Sequence, residues 1–189
     1  MKRVFKNVIS VIYSLIYFTI TKIFNWKTFA FYVIERFSPS TEVTIANRGR
    51  IKLGKKVTAH SGVIIKAVSD GEIIIGNQVR FNYGCIVMSQ GTIRIKNGVG
   101  FGPNVQIFDH DHDYRSKKGV GPGATKFRTG TIEIGENSWI GANCVILKNT
   151  KIGKNCVVAA GTVLSNCEYP DNTVIYNKRE ILTKHFEKG

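Results

Sequence analysis

Between residues 134 and 164 the chain places an aliphatic side chain at every sixth position: Ile134, Ile140, Ile146, Ile152, Val158 and Leu164. Four places after each of the first five stands a small residue: Ser138, Cys144, Thr150, Cys156 and Thr162. Glycine or alanine follows the aliphatic in Ile134-Gly135, Ile140-Gly141, Ile152-Gly153 and Val158-Ala159. A short fixed period predicts stacked copies of one structural unit. Six matches neither the 3.6 of an α-helix nor the alternation of a sheet exposed on one face. It fits a solenoid with a triangular coil, one hexapeptide per side, the aliphatic inside and the small residue packed beside it.

Upstream the period is looser. Leu53, Ile75 and Ile95 each open a coil, with an extra turn at 68–71 and extra residues near Gln90-Gly91. Glycines and Asn-Gly pairs fall at the corners, where the backbone must turn. Between Ile107 and Ile134 the period breaks around an insertion of about twenty residues, a loop over 108–130. Long excursions from a rigid scaffold carry function disproportionately. After Leu164 the repeat decays. Residues 173–176 read as a final strand and 178–186 as a short basic helix. Ser38-Pro39-Ser40 marks the other boundary, so the chain divides into an apolar and basic N-terminal segment (1–40), the solenoid (41–176) and a basic tail (177–189).

The N-terminal segment is uncharged from residue 7 to 21 and dominated by aliphatics. That run is short of the roughly 20 residues needed to span a bilayer, and no small-residue cleavage site follows it. Arg3, Asn7, Ser10, Ser14 and Thr21 form a narrow polar stripe at near-helical spacing, and a second apolar run follows at 28–34. Both read as helical segments. They either lie on a membrane surface through residues 3–34 or cap the solenoid and its oligomer contacts.

Charge sharpens this picture. The 189 residues, enough for one domain, carry a net charge of +14, about two-thirds of it in the first third of the chain. Such a surplus favours anionic partners such as phosphate or acidic lipid. No aromatic base-stacking platform is evident, so nucleic acid is not expected. None of the four cysteines is paired in a CxxC spacing, and Cys144 and Cys156 fill the repeat's small-residue slot. Reduced thiols and a cytoplasmic location are expected.

The stretch Ile134-Gly-Glu-Asn-Ser-Trp139-Ile140-Gly141-Ala142 through Ala160-Gly161-Thr162-Val163 resembles the hexapeptide-repeat acyltransferases. The closest branch is the galactoside and maltose O-acetyltransferases and the capsule and lipopolysaccharide O-acetyltransferases. The likeness covers roughly residues 50–176. It implies a left-handed parallel β-helix, a homotrimer with sites between neighbouring subunits, and acetyl-CoA as cosubstrate. It also implies residue roles. His112, seven residues beyond the valine of Asn104-Val105, matches the catalytic histidine, with His110 as its competitor. Asn82 matches an asparagine beside the acceptor hydroxyl. The Ala142 amide matches one facing the thioester, and Ala160 a position lining the pantetheine groove. Trp139 joins them on the coil wall, and Lys178 or Arg179 is expected to meet the CoA phosphates.

Transfer of acetyl from a thioester to an alcohol needs a base, and a neutral imidazole suits that near pH 7. His112 is expected as base, with Asp109, Asp111 or Asp113 holding its tautomer, and only one of the two loop histidines is expected to face the groove. No nucleophile or metal is required. The chain departs from the family pattern at Ser165-Asn166 and at Tyr176-Asn177-Lys178-Arg179, and apolar segments replace the acceptor-binding helices of the sugar acetyltransferases. This favours a lipid-linked or polymeric cell-envelope glycan as acceptor, modified at the inner face of the cytoplasmic membrane. The alternatives are N-acetylation of an amino-sugar nucleotide, a trimeric metal-dependent hydratase of the carbonic-anhydrase kind, and a non-catalytic β-helix module.

Overall fold

A computed structural model describes residues 2–32, 35–118, 120–121 and 123–178. Arg179 and most of the expected C-terminal helix lie outside the described residues. The rest is a left-handed parallel β-helix of three sheets, with seven, seven and six strands. Each coil contributes one short strand per sheet. The predicted coil starts fall into one ladder: Leu53 pairs with Ile75, Ile75 with Ile95, Ile95 with Ile134, Ile134 with Ile152 and Ile152 with Tyr169.

Every strand turns one residue in and the next out, so identical inward residues stack along the axis. Ile51, Ile73, Ile93 and Ile132 form one such column, all without solvent exposure. Burying each is worth about 1.5–3 kcal/mol. The six-residue period follows from the corners. Most sides end in a residue with positive φ, and among the described residues eight of the eleven such non-glycine residues are asparagines. Asparagine tolerates this conformation because its short side chain bonds locally. The corner amides also bond between coils: Asn104 to Asn143 (3.3 Å), Asn149 to Asn166 (3.0 Å) and Asn155 to Asn172 (3.1 Å).

The solenoid starts earlier than residue 41. The described part of the apolar run, 28–32, does not form a helix. Phe29–Ala30 pairs in parallel with Ile51–Lys52, and Arg36–Phe37 with Thr58–Ala59. Only one helix precedes it, α1 (Lys2–Phe24). Its 18-residue window at Asn7–Phe24 is long and apolar enough to cross a membrane by length and composition.

The orientation of α1 inverts the usual rule. A parallel sheet leaves unpaired backbone groups on its terminal strands, and the polar stripe of α1 turns inward to meet them. Ser14 Oγ accepts from Phe37 N (2.8 Å), and Tyr17 Oη donates to Val43 O (3.0 Å). Between them Phe18 is fully buried against Phe29, Phe31 and Phe37. The aliphatics face outward: Val8, Ile9, Ile12, Leu15, Ile16, Ile20, Ile23 and Phe24 are all exposed, interrupted only by Thr19.

Candidate active site

Two corners of the coil gather the candidate residues. The first lies between the second and third sheets. Strand pairing places Asn82, Gly102, Gly141 and Ala159 in one row there, one per coil, with Tyr83, Pro103, Ala142 and Ala160 beside them. The row is kept small for a physical reason. A Cβ on Gly102 would come within 2.6 Å of Ala142 N, and one on Gly141 within 2.6 Å of Ala160 N. The result is a run of small residues along the axis, stacked backbone on backbone. Asn143 N donates to Pro103 O and Gly141 N to Val158 O. Between them the half-buried Ala142 N–H has no recorded acceptor among the described residues. Such a fixed, unsatisfied donor suits a developing oxyanion. Beneath this corner Cys85 is buried, its thiol pushed up by desolvation and donating to Gly102 O (3.2 Å), which suits packing rather than attack.

The second corner lies between the third and first sheets, where the long loop leaves. Its base is more ordered than the sequence suggests. His110–His112 pairs antiparallel with Phe127–Thr129. Asp109, fully buried, anchors this hairpin. Its carboxylate accepts from Ser89 Oγ (2.5 Å), Gln90 N (2.9 Å) and Gly91 N (3.0 Å). Its carbonyl accepts from Gly130 N (2.7 Å). A buried carboxylate is tolerable only when satisfied in this way.

Asp109 does not orient His112. It lies 3.0 Å from His110 Nδ1, and the His110 side chain is only 11% exposed. His112 is exposed, its ring 4.6 Å from that of Phe127. The two histidines lie on one face of their short strand. Residues i and i+2 of a strand share a face, and both rings contact Phe127. They differ in depth, since His110 is tied at the hairpin base and His112 stands beyond it. Asp111 is held by Lys148 on the following coil, and no hydrogen bond joins Asp113 to His112 among the described residues.

The structure therefore does not bring His112 to Asn82 and Ala142 within one chain. A full coil side separates the two corners, roughly 15–20 Å of extended backbone. Trp139 lies on the second sheet, half exposed and flat against Gly100, where a Cβ would come within 2.7 Å of the indole. Lys178 is exposed beyond the last strand. Among the described residues no three His, Cys, Asp or Glu side chains gather as metal ligands.

Sequence reasoning missed a cleft of about 660 Å³ on the N-terminal side of Asn82. It lies over the second sheet, and its lining includes Arg36, His60, Arg80, Tyr83 and Trp139, with Asn7 and Ser10 of α1. The His60 and Tyr83 rings are 4.7 Å apart. Nothing in the linear order could have shown it, because the lining residues meet only once the coil register is set.

Residues 131–166 match the family described as bacterial transferase hexapeptide (six repeats). Nodulation protein L of Rhizobium leguminosarum bv. viciae is 35% identical over 78 residues, 40% of this chain and 38% of that protein. The chain thus spans well under half of that relative. WbbJ of Escherichia coli K12, named for O-acetyl transfer in lipopolysaccharide biosynthesis, is 29% identical over 137 residues, 69% of each chain. Among solved structures, the N-acyltransferase AntD of Bacillus cereus, in complex with dTDP and 3-hydroxybutyryl-CoA, superposes with a TM-score of 0.67. Its identity is 17%, and 83% of this chain and 82% of that one are covered.

Proposed function

We propose, from a chain whose solenoid carries the hexapeptide repeat of the bacterial transferases, that it is an acetyl-CoA-dependent O-acetyltransferase acting on a sugar hydroxyl of a cell-envelope glycan. The observation that carries this reading is the row of small residues at Gly102, Gly141, Ala142 and Ala160, with the Ala142 N–H unsatisfied among the described residues. A wall of such small side chains leaves room for an extended pantetheine arm. AntD, of the same fold, was solved with an acyl-CoA, and WbbJ is named for O-acetyl transfer.

The chemistry follows from the two corners. The acceptor oxygen attacks the thioester carbonyl as His112 takes its proton. The Ala142 N–H stabilises the tetrahedral oxyanion. The carbon–sulfur bond then breaks, and the CoA thiolate leaves and is protonated by the imidazolium. One chain holds these groups a coil side apart, so His112 serves the small-residue row of a neighbouring copy in a closed ring, most simply a trimer.

Complementation tests this arrangement. His112→Ala and Asn82→Ala chains, each inactive alone, are expected to regain activity when co-expressed, with about a quarter of the sites intact for random assembly of shared sites. Activity that never exceeds the two variants' own residual levels would place both groups on one chain.

The same reading puts the protein on a bilayer. The outward face of α1 is apolar from Val8 to Phe24 apart from Thr19, Trp26 is 67% exposed at its end, and the first acidic residue of the chain is Glu35. An apolar face ringed by Lys22 and Lys27 suits an anionic leaflet, and Lys27 sits over the Trp26 ring at 4.7 Å. The inward face is committed to the solenoid, so α1 lies on the membrane rather than across it. Co-sedimentation with phosphatidylglycerol vesicles is expected for the wild type and lost in an Ile12→Asp, Ile16→Asp, Ile20→Asp variant. A wild type that ignores vesicles and instead pairs through this face, as seen by sedimentation velocity, would exclude the membrane reading.

A further inference from the structure

The cleft below Asn82 is built without a single carboxylate, and two arginines line it. Strand pairing sets Arg36, Thr58, Arg80, Gly100 and Trp139 in one outward row of the second sheet. Successive coils are about 4.8 Å apart, so Arg36 and Arg80 stand about 10 Å from each other with only Thr58 between them. Both are exposed, and neither has an ion-pair partner among the described residues. On the neighbouring coils Arg48 is paired with Asp70 and Arg50 with Glu72. Two unpaired guanidiniums on an acid-free wall form a site for an anion with oxygens to spare, because the planar fork binds phosphate bidentately.

We infer that Arg36 and Arg80 hold the diphosphate that joins the acceptor sugar to its carrier. The inference rests on the acetyltransferase reading and adds the class of acceptor. The cleft's other walls fit it. Trp139, half exposed at the coil level of the small residues, and Tyr83, 54% exposed, offer ring faces to a sugar. Asn82 stands between the cleft and the small residues. Asn7 and Ser10 of α1 line the lower end. A diphosphate at the arginines thus directs its sugar toward Asn82 and its carrier toward the helix. A polyprenyl carrier and a nucleoside carrier share the diphosphate, and the experiment separates them.

The test uses the full chain with Trp26→Phe, leaving Trp139 as the sole tryptophan and therefore a fluorescence reporter inside the cleft. Saturating CoA is present, and a parallel series omits it, because CoA carries a diphosphate of its own. Inorganic diphosphate, farnesyl diphosphate and uridine diphosphate are titrated. Binding is expected for all three, and Arg36→Ala with Arg80→Ala should weaken it at least tenfold. Arg48→Ala, at another corner, should leave it unchanged. Tighter binding of farnesyl diphosphate indicates a lipid carrier, and tighter binding of uridine diphosphate a nucleotide carrier. The inference is overturned if the double variant binds all probes as the wild type does. It is equally overturned if the probes bind only when CoA is left out, which would make the cleft the cosubstrate's own phosphate site. Acetyl transfer that persists while no diphosphate binds removes only this inference. Diphosphate binding without any acetyl transfer removes the enzymatic reading instead.

Discussion

His112→Ala is expected to lower acetyl transfer to a hydroxyl by about 10²–10⁴-fold, the usual contribution of a positioned general base. The effect should fall on kcat, with the KM for acetyl-CoA little changed, since the row at Gly102, Gly141 and Ala160 is left intact. The fold should survive, because His112 is exposed and its ring touches only Phe127 among the described rings. His110→Ala makes the contrast. That imidazole is partnered with the fully buried Asp109 carboxylate at 3.0 Å, so its loss should loosen the hairpin base and lower thermal stability along with activity. Steady-state kinetics with melting curves for both variants separate the roles. A His112→Ala enzyme that keeps more than a tenth of wild-type kcat would remove His112 as base. It would turn the reading toward N-transfer, where the amine needs less help with its proton.

Glu35→Gln is expected to flatten the pH dependence of stability. Glu35 is 1% exposed, beneath α1 at the first coil. Desolvation raises its pKa from 4.5 to about 8, against the opposing pull of the Val57 and Tyr32 amides. Oε2 accepts from Val57 N at 2.6 Å, while Oε1 has no partner among the described residues. The folded protein therefore keeps a proton that the unfolded chain releases above its ordinary pKa. Stability falls as pH rises from about 4.5 to about 8 and is level beyond that. Each tenfold change in relative proton affinity is worth about 1.4 kcal/mol, so the loss across the window is several kcal/mol. Glutamine is already neutral and offers the same oxygen to Val57. The variant should match the wild type near pH 4.5 and exceed it by a few kcal/mol at pH 8.5 in denaturant titrations. Parallel curves for the two proteins would mean that Glu35 ionises without penalty, and hence that water reaches it.

The solenoid was legible because its side chains report on themselves. A residue that must stack on its counterpart in the next coil repeats at the coil's own period, so Leu53, Ile75, Ile95, Ile134 and Ile152 could be aligned without coordinates. The first coil was not legible. Phe29, Phe31 and Phe37 fill its interior with rings that follow no six-residue step, and the run beside a true helix imitates a second one. The polar stripe of α1 was visible, but its direction was not. Ser14 and Tyr17 look inward only because the end of the sheet offers unpaired backbone, which no helical wheel can display. At the site, the loop and its two histidines were readable. The anchoring role of Asp109 was not, since its donors at Ser89, Gln90 and Gly91 come from the previous coil. Arg36 and Arg80 looked like ordinary surface charge until the register set them in one row.

Because α1 lies across the end of the solenoid, the coil axis stands upright on whatever surface the helix occupies. Coils then count altitude at about 4.8 Å each. Asn82 belongs to the third rung of its row, after Ser38 and His60. In the proposed membrane-bound O-acetyltransferase, the reacting hydroxyl is thereby held at a set elevation of about two nanometres, once the thickness of the helix is included. Such a molecule works as a depth gauge. It would choose among chemically equal hydroxyls by how far along the chain they stand from the lipid, and inserting one coil below Asn82 would move its choice outward by one rung.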